Sequence, residues 1–197
     1  MQVAIIKYNA GNVQSVLYAL ERLGAEAILT DDLETISKAD KVIFPGQGEA
    51  SSAMKYLKDK KLDQLIPQLK QDFFGVCLGQ QLLCAHSEEG NTTCLNVFPV
   101  EVKKFRPENA LDFKVPHIGW NNLQDLKSPL LQGLDDSAFV YYVHSYYCEL
   151  STYSIATTDY VLPFSALMHK DNFFAMQAHP EKSGLVGERI LENFLKL

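Results

Sequence analysis

Four short apolar runs, each followed by an amphipathic stretch, fill the chain up to Leu83, and this alternation constrains the fold more than any other feature. The runs are QVAIIKY (2–8), AEAILT (25–30), KVIFPG (41–46) and FFGVC (73–77). Rich in β-branched or aromatic residues and bounded by Gly, Pro and Asp, they read as buried strands. Between the first two, Val13, Val16, Leu17 and Leu20 recur at helical spacing behind Asn12, which can cap the helix, and Gly24 stops it. DDLETISKAD reads as a short helix, and residues 49–71 read as helical with a break near Pro67. Strands alternating with helices predict right-handed crossovers and a parallel sheet covered on both faces.

The pattern changes in the second half. From Thr92 to Gln177, strand-like runs dominate: CLNVFPVEVKKF, FVYYVHSYYCEL, YSIATT and FSALMHKDNFFAMQAH, the last a hairpin around Lys170, Asp171 and Asn172. A final helix, GERILENFLKL, places Ile190, Leu191, Phe194 and Leu195 on one face. No repeat or low-complexity linker divides the chain, and 47% hydrophobic content over 197 residues suffices for one core. The expectation is a single α/β domain over residues 1–197, with a mixed, mostly parallel sheet flanked by helices and a β-rich second half.

Several function classes are excluded. No run approaches the ~18 apolar residues of a membrane span, and MQVAIIKYNAG lacks the features of a signal peptide. The net charge of -6, without a basic cluster, argues against nucleic acid or an acidic membrane surface as partner. Cys77, Cys84, Cys94 and Cys148 show no paired metal spacing and read as reduced thiols, so a cytoplasmic protein without a metal site is expected.

One cysteine stands apart. Cys77 closes the strand FFGVC, and LGQQLLCAH opens a helix immediately after it. Sites in open α/β sheets form beyond the carboxyl ends of strands, and the start of a helix favours thiolate over thiol. Gly75-Val76-Cys77-Leu78-Gly79 is the thiol form of a nucleophile elbow, its glycines removing side chains where strand and helix meet. The backbone N–H of Leu78 would then point to a developing oxyanion. Free cysteine is usually a small core residue, and Cys84, Cys94 and Cys148 are read that way. A nucleophilic thiol needs a base and a group to orient that base, and AMQAHPEKSG offers both. Pro180 biases His179 toward extended backbone, where residues two apart point the same way, bringing His179 and Glu181 side by side. His86 and His169 read as surface residues, while His117 and His144 sit in unusual contexts, VPHIGWN and YYVHSYY, with no metal set nearby.

The elbow G-x-C-x-G with a distal H-P-E resembles the class I (triad) glutamine amidotransferases, and the match runs from end to end. Within that class AGNVQSV, VPHIGWN, YYVHSYY and HPEKSG resemble the glutaminase subunits of imidazole glycerol phosphate synthase. The resemblance implies glutamine hydrolysis to glutamate and ammonia through a γ-glutamyl thioester on Cys77, with His179 as base and then acid and Glu181 as its orienter. It makes FPGQGEA the oxyanion strand, with Gln47 at the variable position of P-G-x-G and its N–H as second oxyanion donor beside that of Leu78. Gly48, Gln81, Glu89, Ser145 and Tyr146 fall where relatives contact glutamine. The implied partner is a separate (β/α)₈-barrel cyclase subunit forming a heterodimer, a barrel of ~250 residues being too large to share this chain. Asn12, Tyr141 and Lys182 fall near that interface in relatives. No cofactor is implied. Three other readings compete. An amidotransferase of anthranilate or pyridoxal phosphate synthesis is opposed by VPHIGWN and Lys182. A hydrolase of γ-glutamyl peptides would not need the interface stretches, and a silent binding module would be expected to lack part of the triad.

Overall fold

The computed structural model describes residues 1–8, 13–109 and 113–197. The four apolar runs form β1 (Gln2–Ile6), β2 (Glu26–Thr30), β3 (Lys41–Phe44) and β4 (Phe73–Val76). Between them lie α1 (Gln14–Arg22), α2 (Leu33–Lys38), α3 (Ala50–Asp59) and α4 (Leu62–Leu65), and α5 (Leu78–Leu83) follows β4 after Cys77 alone. The second half contains β5 (His86–Ser87), β6 (Thr92–Thr93), β7 (Glu101–Lys104), β8 (His117–Asn122), β9 (Phe139–His144) and β10 (Tyr146–Cys148). β11 (Ser154–Asp159), β12 (Pro163–Lys170), β13 (Phe173–Met176) and α6 (Gly184–Lys196) complete it.

The main sheet has the order β11-β12-β13-β4-β3-β1-β2. Its pairs from β13 to β2 are parallel, and β12 and β11 add antiparallel. The sheet is thus mixed and mostly parallel, as expected. Side chains alternate between faces. Ala4, Ile6, Val42, Phe44, Phe73 and Ala175 pack against Ile36, Leu57 and Leu82 of α2, α3 and α5. Val3, Ile5, Ile43, Phe74, Val76 and Met176 pack against Val16 and Leu20 of α1 and Ile190, Leu191 and Phe194 of α6. Both faces are covered, which explains why the central runs are apolar throughout.

Three local expectations change. The helical stretch 49–71 breaks first at Lys61, whose φ of 59° is left-handed, before a 3₁₀ turn carries the chain through Pro67. CLNVFPVEVKKF is not one strand. The N–H groups of Leu95, Asn96, Val97 and Phe98 donate to the carbonyls of Leu82, Leu83 and Cys84, satisfying the open end of α5, and only Glu101–Lys104 joins a sheet. FVYYVHSYYCEL splits at Ser145 into β9, which pairs with β8 as a two-stranded ribbon, and β10, which joins a separate sheet beside β7. Asn12 lies outside the described residues, and α1 begins from Val13 without a side-chain cap.

Candidate active site

Cys77 and His179 meet because their strands are neighbours. β4 and β13 run parallel in register, and the Cys77 N–H donates to the Met176 carbonyl at 2.7 Å, so the chain beyond β13 passes beside the elbow. Cys77 adopts φ 51° and ψ −107°, a conformation that costs energy for any residue with a side chain. Strand and helix nearly touch there: a Cβ on Gly79 would lie 2.2 Å from the Phe44 carbonyl oxygen. A Cβ on Gly46, in the strand expected to hold the oxyanion, would lie 2.3 Å from the Leu78 nitrogen. Glycine is required at both positions by this close approach.

His179 is buried and extended, with its Nδ1 2.8 Å from Glu181 Oε1. The Nδ1–H donates to the carboxylate, which leaves Nε2 to face the thiol. Burial opposes a charged imidazole, but the Cys77 sulfur, its hydrogen bond and the Glu181 carboxylate together outweigh burial and lift the His179 pKa to about 10. The loop is pinned to β9 from both sides. The His179 N–H donates to the Tyr141 carbonyl at 2.9 Å, and the Tyr141 N–H donates to Ser183 Oγ at 2.9 Å. The Ser183 hydroxyl in turn donates to the His179 carbonyl at 2.6 Å. Ser183 follows directly on H-P-E-K in the sequence, and its side chain explains why that segment holds its shape.

A cleft of about 460 Å³ opens over the elbow. Gln47, Gly48, Cys77, Leu78, Gln81, Glu89, Ser145, Tyr146, His179 and Lys182 all line it, joined by Gly46, Pro116, Val143 and His144. The expected glutamine-contact residues are therefore brought together with the elbow. Glu89 accepts the Ala50 N–H through Oε2 at 2.8 Å, and burial raises its pKa. Glu181 stands behind His179. Tyr141 lies on the β8–β9 ribbon with its ring 5.9 Å from that of Trp120. Ile118, Trp120 and Phe139 of this ribbon are exposed, a concentration of large apolar surface beside the cleft that the sequence did not reveal.

The Gln47 N–H does not point at Cys77. It donates to the Tyr8 hydroxyl at 3.2 Å, while that hydroxyl donates to the Pro45 carbonyl at 2.7 Å. Burial pushes the Tyr8 phenol pKa upward, so the hydroxyl stays protonated and able to bridge the strand. Behind His144 of the cleft wall lies His117, its Nδ1 3.0 Å from His144 Nε2, with both rings buried. Burial lowers their pKa values to about 4 and about 3, so both are neutral near pH 7. His86, expected at the surface, is half-buried between Glu101 and Asn91, and His169 stacks on Phe174 with centroids 4.0 Å apart.

Among the described residues, no group of three or more His, Cys, Asp or Glu side chains could hold a metal ion. No helix among them is long and apolar enough to cross a membrane. The family model for glutamine amidotransferase class I matches residues 4–197. The chain belongs to the class I glutamine amidotransferase family. Imidazole glycerol phosphate synthase subunit HisH of Bacteroides thetaiotaomicron is 56% identical over 197 residues, covering 100% of both chains. The HisH subunit of Idiomarina loihiensis is 42% identical, covering 100% of this chain and 98% of its own. Within the amidotransferases, then, the chain falls among the HisH subunits, the glutaminase subunits of histidine biosynthesis. The fold is shared more widely than the sequence. A putative GMP synthase protein from Thermoplasma acidophilum superposes with a TM-score of 0.75 at 17% identity, over 100% of this chain and 93% of that one. A glutamine amidotransferase from Thermotoga maritima gives 0.67 at 17% identity, over 100% and 83%.

Proposed function

We propose that this amidotransferase domain, residues 1–197, hydrolyses the side-chain amide of L-glutamine on Cys77 in the cytoplasm. It passes the ammonia to a separate (β/α)₈-barrel cyclase subunit with which it forms a heterodimer. The observation that carries the reading is the His179–Glu181 contact at 2.8 Å, placed so that the second ring nitrogen serves the thiol of a strained elbow.

In the first half-reaction the Cys77 thiol gives its proton to His179, the sulfur adds to the amide carbon as the C=O π pair moves to oxygen, and the tetrahedral oxyanion forms beside the Leu78 N–H. His179 delivers a proton to the leaving nitrogen, the C–N bond breaks, and ammonia departs from a γ-glutamyl thioester. Water then adds to the thioester while His179 takes its proton. The C–S bond breaks, and glutamate leaves with the sulfur holding the electron pair. Glu181 fixes the tautomer and stabilises the imidazolium at each stage. Gly48, Gln81, Glu89, Ser145 and Tyr146 would hold the substrate. In this resting arrangement Gln47 gives its N–H to Tyr8, so one of two oxyanion donors is withheld, an effect of about 10²–10³ in rate.

A partner is supported by the apolar surface beside the cleft. Ile118, Trp120 and Phe139 are half or more exposed, continuous with Tyr141 and with Lys182 at the cleft. Exposed aromatics clustered in this way mark an interaction site. The names of the relatives, subunits of a synthase, support a cyclase as its occupant, with Asn12 as a further contact. The coupled products would be imidazole glycerol phosphate and aminoimidazole carboxamide ribotide. The test is glutamate release by the isolated chain, by its complex with the cyclase of the same organism, and by that complex with the cyclase's phosphoribulosyl ligand. Turnover should rise at each step. Equal turnover in all three would contradict the coupling, and no turnover in any would contradict the glutaminase reading.

A further inference from the structure

One main-chain carbonyl, that of Tyr146, decides how four buried side chains are turned. A carbonyl can only accept, so each group bonded to it must present a proton. His144 Nδ1 lies 2.7 Å from it and Gln81 Nε2 lies 3.0 Å from it. His144 is therefore the Nδ1–H tautomer, and its Nε2 accepts the Nδ1–H of His117 at 3.0 Å. The Gln81 amide turns its NH₂ inward, and its second proton goes to Gln177 Oε1 at 3.0 Å. With its oxygen occupied in this way, Gln177 must present its own NH₂ on the other side, where Nε2 lies 3.6 Å from Cys77 Sγ. Gln177, Gln81, His117 and His144 are all buried, so these orientations are set by protein partners.

We propose that Gln177 donates a hydrogen bond to the Cys77 sulfur during catalysis, with Gln81, the Tyr146 carbonyl and the His144–His117 pair as the positioning groups that aim it. A donor to sulfur matters most when the sulfur carries charge. That is so at attack, as the thiol proton passes to His179, and again when the thioester breaks down: water has added, its proton has passed to His179, and the C–S bond releases the electron pair to sulfur. The Gln177 N–H, 3.6 Å from the sulfur, stabilises the charge at both moments without itself taking up the proton. A glutamate there would place an oxygen against the same sulfur and oppose its ionisation.

This inference rests on Cys77 being the nucleophile, so its test must not depend on turnover alone. The rate of Cys77 alkylation by iodoacetamide, read by mass spectrometry of the Cys77 peptide, is followed against pH in the intact chain. In Gln177→Met the profile should move to higher pH by about one unit, the size of one charge-assisted hydrogen bond. Gln177→Glu should move it further. Thr158→Val, which removes a buried hydroxyl bonded to Tyr142 and Asn122, should leave it in place. Gln81→Met, which frees the Gln177 amide to turn, should shift the profile the same way and serves if the Gln177 variants do not fold. A profile for Gln177→Met, or failing that Gln81→Met, that superimposes on wild type would overturn the proposal. If such a variant still incorporates an electrophilic glutamine analogue at Cys77, the nucleophile stands and only the role of Gln177 falls.

Discussion

The Tyr8 hydroxyl holds the oxyanion strand by two bonds at once, accepting the Gln47 N–H at 3.2 Å and donating to the Pro45 carbonyl at 2.7 Å. Tyr8 stands just beyond β1, two strands away from the elbow in the sheet order β4-β3-β1, so its reach to Gln47 follows from the topology. Removing the hydroxyl frees a donor that the tetrahedral intermediate needs. Tyr8→Phe should raise glutamine hydrolysis by the isolated chain roughly tenfold or more, with about 10²–10³ as the ceiling for one donor, and should narrow the stimulation by the partner. A kcat unchanged or lowered in a folded Tyr8→Phe would show that the strand is restrained elsewhere.

The base and its orienter should separate under mutation. His179→Ala should lose about 10²–10⁴ in kcat, the usual contribution of a general base. Glu181→Gln keeps an acceptor for the His179 Nδ1–H but puts an NH₂ where Glu181 Oε2 already lies buried without a partner. It should lose activity, though less than His179→Ala does. Steady-state glutamate release at saturating glutamine decides this. Equal rates for wild type and His179→Ala would place the base elsewhere.

Acid should weaken the fold before the carboxylates titrate. His117 and His144 titrate near 4 and 3 when folded and near 6.5 when unfolded, because burial disfavours their charged forms. The unfolded chain then binds more protons between those limits. The stability these rings contribute is complete above about pH 6.5 and is lost as pH falls toward 4, at about 1.4 kcal/mol per pH unit for each ring. His179, lifted to about 10, acts the other way near pH 7 to 6, where its stabilisation is still growing as the unfolded imidazole takes up its proton, and adds no slope below about pH 5.5. Urea unfolding at intervals from pH 7 to 4.5 should show the decline, and His117→Gln should flatten it. A wild-type stability that is constant over this range would contradict the buried neutral pair.

The β8–β9 ribbon gives a binding prediction. Trp120 is 55% exposed and Ile118 60% exposed, so truncating either should barely alter the stability of the isolated chain. Trp120→Ala should nonetheless weaken the cyclase complex by about 10-fold or more, as buried aromatic anchors do. Lys182→Ala should reduce stimulation while leaving the triad in place. Calorimetric titration with the cyclase tests both, and undiminished affinity for Trp120→Ala would move the interface away from this ribbon.

Much of this was legible along the chain because it is local. β1 to β4 are apolar runs cut off by turn residues, the elbow is five consecutive residues, and His179 and Glu181 are two apart. What escaped the sequence depends on contacts between distant segments. His117 meets His144 only because β8 and β9 pair in that register, and Gln81 meets Gln177 across 96 positions. Tyr8 reaches Gln47 across 39. CLNVFPVEVKKF misled for a related reason: its apolar residues are buried, but the N–H groups of Leu95 to Phe98 end a short helix instead of joining a ladder.

The most direct measurement of the central claim is covalent. The chain, alone and in complex with its cyclase, is incubated with a glutamine analogue carrying an electrophilic diazoketone in place of the side-chain amide, and every cysteine-containing peptide is weighed. The account requires one equivalent of label on Cys77, faster in the complex, with Cys84, Cys94 and Cys148 unmodified and no labelling in Cys77→Ala. Label on any of the other three cysteines at comparable rate, or none on Cys77 in a complex that consumes glutamine, would contradict it.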